Sequence, residues 1–470
     1  MVMRLLTMLG LWAVAAWHRL RVLDHAVVGS DSLGPYLQAQ AALFGNFPRP
    51  PNPESGDALW LTMVPMVAAA DSLVELFSFR FALGGVVAPL GFAAAYHWTS
   101  ETRSAQRRWA AALTAGIFLA FDPGLVDTLV SGARSYGAPE FVGAFTLAMA
   151  LSLRGVPWAP AAGLVSLVFA IGHHPLAMGM AIALVPFLRQ LHRIHGGRTL
   201  QKAAWIGALA AVPQAARLGS LAACGEGIKA CLARVAQSNV GEPVAWTELM
   251  RVSLHDRFAV DFKGTAAVMI VGVALALICR QKDHRKAGLF AIVGLIGVLG
   301  MGLANGYIRS YHLRIAAVPI AAVAAIGLAR VWPLAGVASI AFAMTHMDRL
   351  PVGPDPGAMS RQDEVATTLP LGPLWVDRVW WSGQPTLDAS AVVLSGWLDG
   401  RRDFQLGNAT PFVLLNVGNP ANEPGIKLFG TATEARTWIE EQSIAPHQTG
   451  GAYDWATVVV PNTRLEDARW

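Results

Sequence analysis

The fold turns on the stretch LRIAAVPIAAVAAIGLA (313–329), which is followed, after the single Arg330, by VWPLAGVASIAFAMTH (331–346). Each block approaches the roughly 20 helical residues that cross a ~30 Å hydrocarbon layer. Working outward, similar apolar blocks lie at 3–19, 75–97, 109–126, 138–153, 157–172, 175–190, 203–219, 264–281 and 287–304. The chain therefore reads as an α-helical polytopic membrane protein of about 11 transmembrane helices. Composition agrees: of 470 residues, 54% are hydrophobic and 14% charged, against roughly a quarter charged in a soluble domain. An ordinary cytosolic enzyme is excluded. So are disordered, collagen-like and disulfide-scaffold classes, since there is no low-complexity tract or glycine period and only three cysteines.

Charge divides the chain at His346. Lys and Arg outnumber Asp and Glu by 27 to 16 over residues 1–346, whereas residues 347–470 carry 9 against 15. Two domains follow: a basic polytopic part, 1–346, and a mildly acidic extracytoplasmic tail, 347–470. No basic patch interleaved with aromatics occurs in the tail, so nothing points to nucleic acid. With a cytoplasmic N-terminus, the inner loops collect Arg4, Arg103, Arg107, Arg108, Arg154, Arg189, Arg193, Arg198, Lys202, Arg280, Lys282, Arg285, Lys286 and Arg330, opposed only by Glu101 and Asp283. Short cytoplasmic loops accumulate Lys and Arg, so the tail and every long loop fall on the outer side. The first block, Arg4 and then LLTMLGLWAVAAW, reads as a retained span. A cleaved signal peptide is the alternative, opposed by the lack of a small-residue cleavage site before Trp17-His18-Arg19.

Three outer features stand out. The first loop, 18–75, contains a proline-rich stretch, 46–53, which cannot sustain a helix. It also holds an apolar block, Ala58 to Ala70, that Pro65 breaks and that is too short to span; it should lie in the interface or re-enter the membrane. The loop 220–263 places Cys224 and Cys231 on the oxidising side, where a disulfide is expected. Cys279 reads as inert packing. The tail reads as a small α/β domain, with strands at 373–381, 391–397, 411–417 and 455–460 and a helix near 431–442. Nothing in it resembles a phosphate loop, a metal cluster or a triad, so it reads as a scaffold or acceptor-recognition module.

Chemistry belongs where polar residues meet the outer ends of spans, because ionisable groups at membrane depth are costly and usually face a cavity. Asp31, within Gly29-Ser30-Asp31-Ser32, is a candidate carboxylate, or alternatively a turn residue capping the next helix. Arg134 and Tyr136, within Ser131–Tyr136 and preceded by Asp122-Pro123 and Asp127, would hold a lipid phosphate through a guanidinium fork or else anchor the interface. His173 and His174 precede Pro175 at an outer turn; no further ligands at metal-site spacing accompany them, so they suit a hairpin turn or a phosphate contact. Arg309, Tyr311 and Arg314 line the mouth of the tenth span, where they could converge on one anion.

Together these features make a pattern. An acidic residue in a long first outer loop is followed by a short apolar helix and then by Asp71-Ser72-Leu73-Val74-Glu75-Leu76-Phe77-Ser78-Phe79-Arg80. Next come Phe121-Asp122-Pro123 with Ser131–Tyr136, the His173-His174 turn, and Tyr311-His312-Leu313-Arg314 before a span containing Pro319. Over residues 1–346 this order resembles the C-type fold of polytopic glycosyltransferases, especially bacterial relatives of protein O-mannosyltransferases and lipid A aminoarabinose transferases. The resemblance implies a polyprenyl-phosphate-linked sugar donor and a periplasmic glycan, lipid or protein acceptor. It also implies a site facing the periplasm, between the first outer loop and the outer ends of the third, fourth, fifth and tenth spans. Asp31 would be the catalytic base, and Arg134, with Arg309 or Arg314, would stabilise the departing phosphate. No cofactor motif is present, and the resemblance leaves a divalent cation open. An arginine excess of 30 over 6 lysines hints at a GC-rich bacterial genome, hence a multi-pass protein of the bacterial inner membrane.

The chain departs from the family pattern twice. The family's acidic pair is here Asp31-Ser32, and its His-Pro-Pro-Leu-like entry to the short helix is replaced by Gly56-Asp57-Ala58-Leu59-Trp60, where Asp57 is either a substitute polar group or without a role. The alternatives are a non-catalytic relative, or a transporter or flippase that binds a lipid-linked anion. No repeat between the halves supports a transporter.

Overall fold

The computed structural model describes residues 2–26, 36, 39, 57–100, 102, 104–130, 137–213, 265–278, 281–304, 310–349 and 359, together with strand residues 374–376, 426–429, 448–452 and 457–460. The loop 220–263 with its two cysteines, the strands expected at 391–397 and 411–417, and the helix expected at 431–442 lie outside these residues.

The chain is a helical bundle embedded in the membrane. Helices α1 (Val2–Leu20), α2 (Asp57–Ala69), α3 (Leu73–Gly84) and α4 (Val87–Trp98) come first. They are followed by α5 (Ala105–Ala120), α6 (Pro123–Val130), α7 (Ala138–Leu153) and α8 (Ala159–His173). A 3-10 segment, Pro175–Phe187, leads into α9 (Leu188–Ala210), and then come α10 (Thr265–Ile278) and α11 (Lys282–Ala304). A second 3-10 turn, Ser310–Ala316, opens onto α12 (Ala317–Leu328), and α13 (Trp332–His346) closes the bundle. Among the described residues, four stretches are long and apolar enough to cross a membrane, namely Leu73–Trp98, Ala105–Val130, His284–Leu303 and His312–His346. Exposed Leu5, Ile270, Val337, Ile340 and Met344 would make a large apolar patch on a soluble protein, and here they face lipid.

Local signals start the helices. Ser72 accepts from the Glu75 amide at 3.2 Å while the Glu75 carboxylate accepts from the Asp71 amide at 2.9 Å, a reciprocal cap at the start of α3. Ser104 accepts from the Arg107 amide at 3.3 Å at the start of α5. Between helices, small residues let backbones approach, as lipid-embedded packing requires. A Cβ on Gly272 of α10 would lie 2.8 Å from the Ala324 Cα of α12, and one on Gly179 would strike the backbone of Gly297 and Val298 in α11. A Cβ on Gly85 would lie 2.9 Å from the Ala16 amide nitrogen, so α1 crosses where α3 meets α4. Polar glue joins α5 to α13: Ser339 donates to Thr114 Oγ1 at 2.9 Å, and Thr114 donates to the Ala335 carbonyl at 3.3 Å.

The stretch 312–346 doubles back. Its first turn meets Asp122 through Arg314, and its last residue, His346, offers its carbonyl to His18 Nε2 at 3.2 Å, with the His18 ring against Phe121. Both ends of the stretch therefore sit beside the 121–122 corner, and the return is made at the non-helical Val331 (φ −113°, ψ 84°). The apolar block in the first loop is α2, which contains Pro65 and packs against α8.

The chain differs from the sequence expectation at 175–202. The expected span 175–190 is largely 3-10 helix, and the expected inner loop with Arg189, Arg193, Arg198 and Lys202 is helical, with a kink at Gly196 (φ 71°). Leu, Arg, Gln and Lys are good helix formers, so that charge run sits on α9.

In the tail the described strands form one four-stranded sheet, β1 (Leu374–Val376), β2 (Ile426–Phe429), β3 (Gln448–Ala452) and β4 (Thr457–Val460), in the order β1-β2-β4-β3. β1 runs parallel to β2, pairing Trp375 with Lys427, and the other pairings are antiparallel. β1 and β4 fall inside expected strands. β3, with sequence QTGGA, carries no hydrophobic alternation, and its pairing with β4 is what makes it a strand.

Candidate functional site

The site grows from the break between α5 and α6. The last carbonyls of a helix have no intrahelical partner, and Arg19 supplies one from α1. Its guanidinium donates to the carbonyls of Leu119 (3.1 Å), Ala120 (3.2 Å) and Ala15 (3.1 Å). Arg19 is fully buried. On the other side of the break, Asp122 Oδ1 accepts from the amides of Gly124 (2.8 Å) and Leu125 (3.0 Å), capping α6. Arg314 then reaches the same carboxylate oxygen at 3.5 Å. Gly124 makes room for it: a Cβ there would collide with the guanidinium.

A second buried pair lies alongside. Arg80 of α3 meets Glu140 Oε1 of α7 at 3.0 Å. Glu140 Oε2 is buried with no hydrogen-bond partner among the described residues. Arg19 is within electrostatic range of Glu140, Asp122 and Arg80, so three guanidinium groups and two carboxylates share this end of the bundle. Groups of this kind at membrane depth mark ligand or proton paths more often than structure alone.

The histidines enclose the same end. His173 closes α8, and its Nε2 lies 3.1 Å from Thr62 Oγ1 of α2, its ring 5.0 Å from that of Phe141. Gly137 (φ 97°) leaves space for it, since a Cβ there would strike the imidazole. His174 accepts from the Leu176 amide at 3.3 Å, and its ring lies 4.7 Å from that of buried His312. Among the described residues no group of three or more His, Cys, Asp and Glu side chains is arranged to hold a metal ion.

An apolar groove of about 410 Å³ leads away from the ion pair. Asp122 and Arg314 are its only charged lining residues among those described; Val273 and Leu277 of α10, Leu295 of α11 and Ile320 of α12 supply the apolar walls. This is a hydrocarbon-compatible cleft with an ion pair at one end.

Of the residues singled out from sequence, Arg314, His173 and His174 come together here. Asp57 begins α2 and Tyr311 lies in the 3-10 turn before α12. Asp31, Arg134, Tyr136, Arg309, Cys224 and Cys231 lie outside the described residues. Sequence reasoning missed the roles of Arg19, Arg80, Asp122, Glu140 and His312. The available signal was that Arg80 and Glu140 sit inside expected spans, where charge is expensive.

No protein-family model and no curated protein matches the sequence. Among solved structures, the chain is similar to ArnT from Cupriavidus metallidurans bound to undecaprenyl phosphate, at 11% identity and a TM-score of 0.56, over 97% of each chain. It is also similar to arabinosyltransferase EmbB from Mycobacterium smegmatis, at 12% identity and a TM-score of 0.43, covering 68% of this chain and 30% of EmbB. A third likeness is to the apo oligosaccharyltransferase of Archaeoglobus fulgidus, at 13% identity and a TM-score of 0.44, over 93% of this chain and 68% of that one.

Proposed function

The chain has the C-type glycosyltransferase fold, and from that premise we propose that it transfers a sugar from a polyprenyl-phosphate donor to a periplasmic lipid, glycan or protein acceptor. The observation that carries this reading is the apolar groove ending at Arg314. An isoprenoid tail is a flexible hydrocarbon that fills such a cleft, and a phosphodiester at its head needs a cation held in place beforehand. Asp122 holds Arg314 in place at the end of the groove, and a guanidinium fixed there suits a phosphate group. The solved ArnT structure that shares this fold contains undecaprenyl phosphate.

In the reaction, the acceptor hydroxyl oxygen attacks sugar C1 and the bond from C1 to the phosphate oxygen breaks. The bonding pair leaves with polyprenyl phosphate, and the hydroxyl proton passes to a carboxylate. Asp31, assigned by family resemblance, is that base, and attack opposite the leaving group inverts C1. Arg314 stabilises the charge that grows on the leaving phosphate, with Arg134 and Arg309 as further candidates. The basic inner loops orient the site and the tail toward the periplasm.

The test measures undecaprenyl phosphate binding and radiolabelled sugar transfer to envelope lipid, using full-length protein in nanodiscs. Arg314→Gln should lose binding by tenfold or more. Asp31→Asn should keep binding and lose transfer. Donor binding without transfer by the wild type would favour a non-catalytic relative or a flippase, and wild-type affinity in Arg314→Gln would remove the groove from the reading.

A further inference from the structure

The bundle end opposite the 121–122 corner holds a second cavity, of about 200 Å³, that the proposed transfer does not use. It lies where α4 gives way to α5, where α11 begins and where α12 turns into α13. Thr99, Thr102, Gln281, His284, Arg107 and Arg330 line it. Its floor is buried: Thr99, Thr102 and His284 are each at most 6% exposed. Its rim is the exposed pair Arg107 and Arg330.

The polar groups of the floor are arranged in one direction. Thr102 Oγ1 donates to Gln281 Oε1 at 3.4 Å and lies 3.1 Å from His284 Nε2. With its own proton given to Gln281, Thr102 accepts from His284 Nε2–H. That leaves His284 Nδ1, which is buried and has no partner among the described residues. Arg330 is steadied by the Leu275 carbonyl at 3.2 Å. No described carboxylate lines the cavity, and in the flanking sequence only Glu101 and Asp283 oppose Arg103, Arg107, Arg108, Lys282, Arg285 and Lys286.

The protons of Thr102 and His284 are thus used within the floor, and the two rim guanidinium groups, with no carboxylate among the described lining residues, supply the donors that a tetrahedral oxyanion needs. The volume is below the roughly 300–1,000 Å³ typical of drug-sized ligands, so it suits a phosphate group rather than a sugar nucleotide. Its position at the ends of the spans is headgroup depth, where basic pockets between helices take anionic lipids. We propose that this cavity binds the phosphate group of an anionic phospholipid headgroup or of a small soluble phosphate, separately from the donor groove.

The test is thermal unfolding of the full-length protein in neutral detergent, titrated with phosphatidylglycerol, phosphatidylcholine or inorganic phosphate. Phosphatidylglycerol should stabilise saturably and phosphatidylcholine should not. Arg107→Gln/Arg330→Gln should raise the half-saturating concentration tenfold or more, while Arg107→Lys keeps the response. Arg314→Gln should respond as wild type, which separates this site from the donor groove. Stabilisation by inorganic phosphate that depends on the same arginines would identify a soluble phosphate as the ligand source. Equal stabilisation by both lipids, or an unchanged response in the double variant, would overturn the proposal. If the double variant does not fold, Arg107→Gln alone, at an exposed position, carries the same comparison.

Discussion

Replacing either partner of the Asp122–Arg314 pair should destabilise the bundle, and replacing both should cost little more than replacing one. At 3.5 Å and an effective dielectric of about 20, the Coulomb attraction is about 5 kcal/mol. The side chains are only 3% and 11% exposed, so solvent screening removes little of it, but part is offset by the lost hydration of both ions. A coupling energy of about 2–4 kcal/mol remains. The single variants should not be equal. In Arg314→Gln the carboxylate keeps its two amide bonds, whereas Asp122→Asn removes the carboxylate charge from beside a buried guanidinium. Asp122→Ala should cost about 1 kcal/mol more than Asp122→Asn, because it also removes the cap of α6. The assay is reversible unfolding in mixed micelles with a rising fraction of sodium dodecyl sulfate, run as a double-mutant cycle. A coupling below about 0.5 kcal/mol, the range of exposed pairs, would refute the idea that this contact organises the corner.

Other substitutions test neighbouring parts of the argument. Gly124→Ala should push the Arg314 guanidinium out of place and weaken undecaprenyl phosphate binding at least tenfold; an unchanged affinity in a nanodisc binding assay would count against the assigned head position. Gly137→Ala should cost about 1–3 kcal/mol in the same micelle unfolding assay, because it forces a side chain into a positive-φ position and against His173. Ala274→Trp, at an exposed groove position, should leave the unfolding transition in place and abolish binding of the lipid phosphate; retained binding would mean that the tail runs elsewhere.

The sequence made the bundle legible because membrane spans announce themselves by length and apolarity. The reading at 313–346 survives down to the turn, since Arg330 marks it and the contacts of Arg314 and His346 require it. The 3-10 segment after His174 was not legible: PLAMGMAIALVPF is apolar throughout, and apolarity does not distinguish a 3-10 from an α backbone. The site was half legible. Arg314, His173 and His174 sit at span mouths, where polar residues stand out. Arg19 looked like a flank of the first span because its partners are carbonyls about a hundred residues away, and backbone groups leave no trace in composition. The sequence marks Asp122 only as a residue preceding the Ser131–Tyr136 segment; its cap on α6 is local, and its ion pair depends on an arginine that arrives late in the chain.

That lateness has a consequence for biogenesis. A chain inserted from its N-terminus brings Arg19 into the bilayer first, lays down the α5–α6 corner against it, and makes Arg314 only after most of the helices are in place. Until then Asp122 lacks its contact with Arg314. The corner is therefore finished near the end of synthesis, and chains truncated ahead of Arg314 should insert yet remain more open to protease at residues 121–130 than the full protein. Assembly is thus timed by the residue that also stands at the end of the apolar groove, so that groove is complete only once the bundle nearly is.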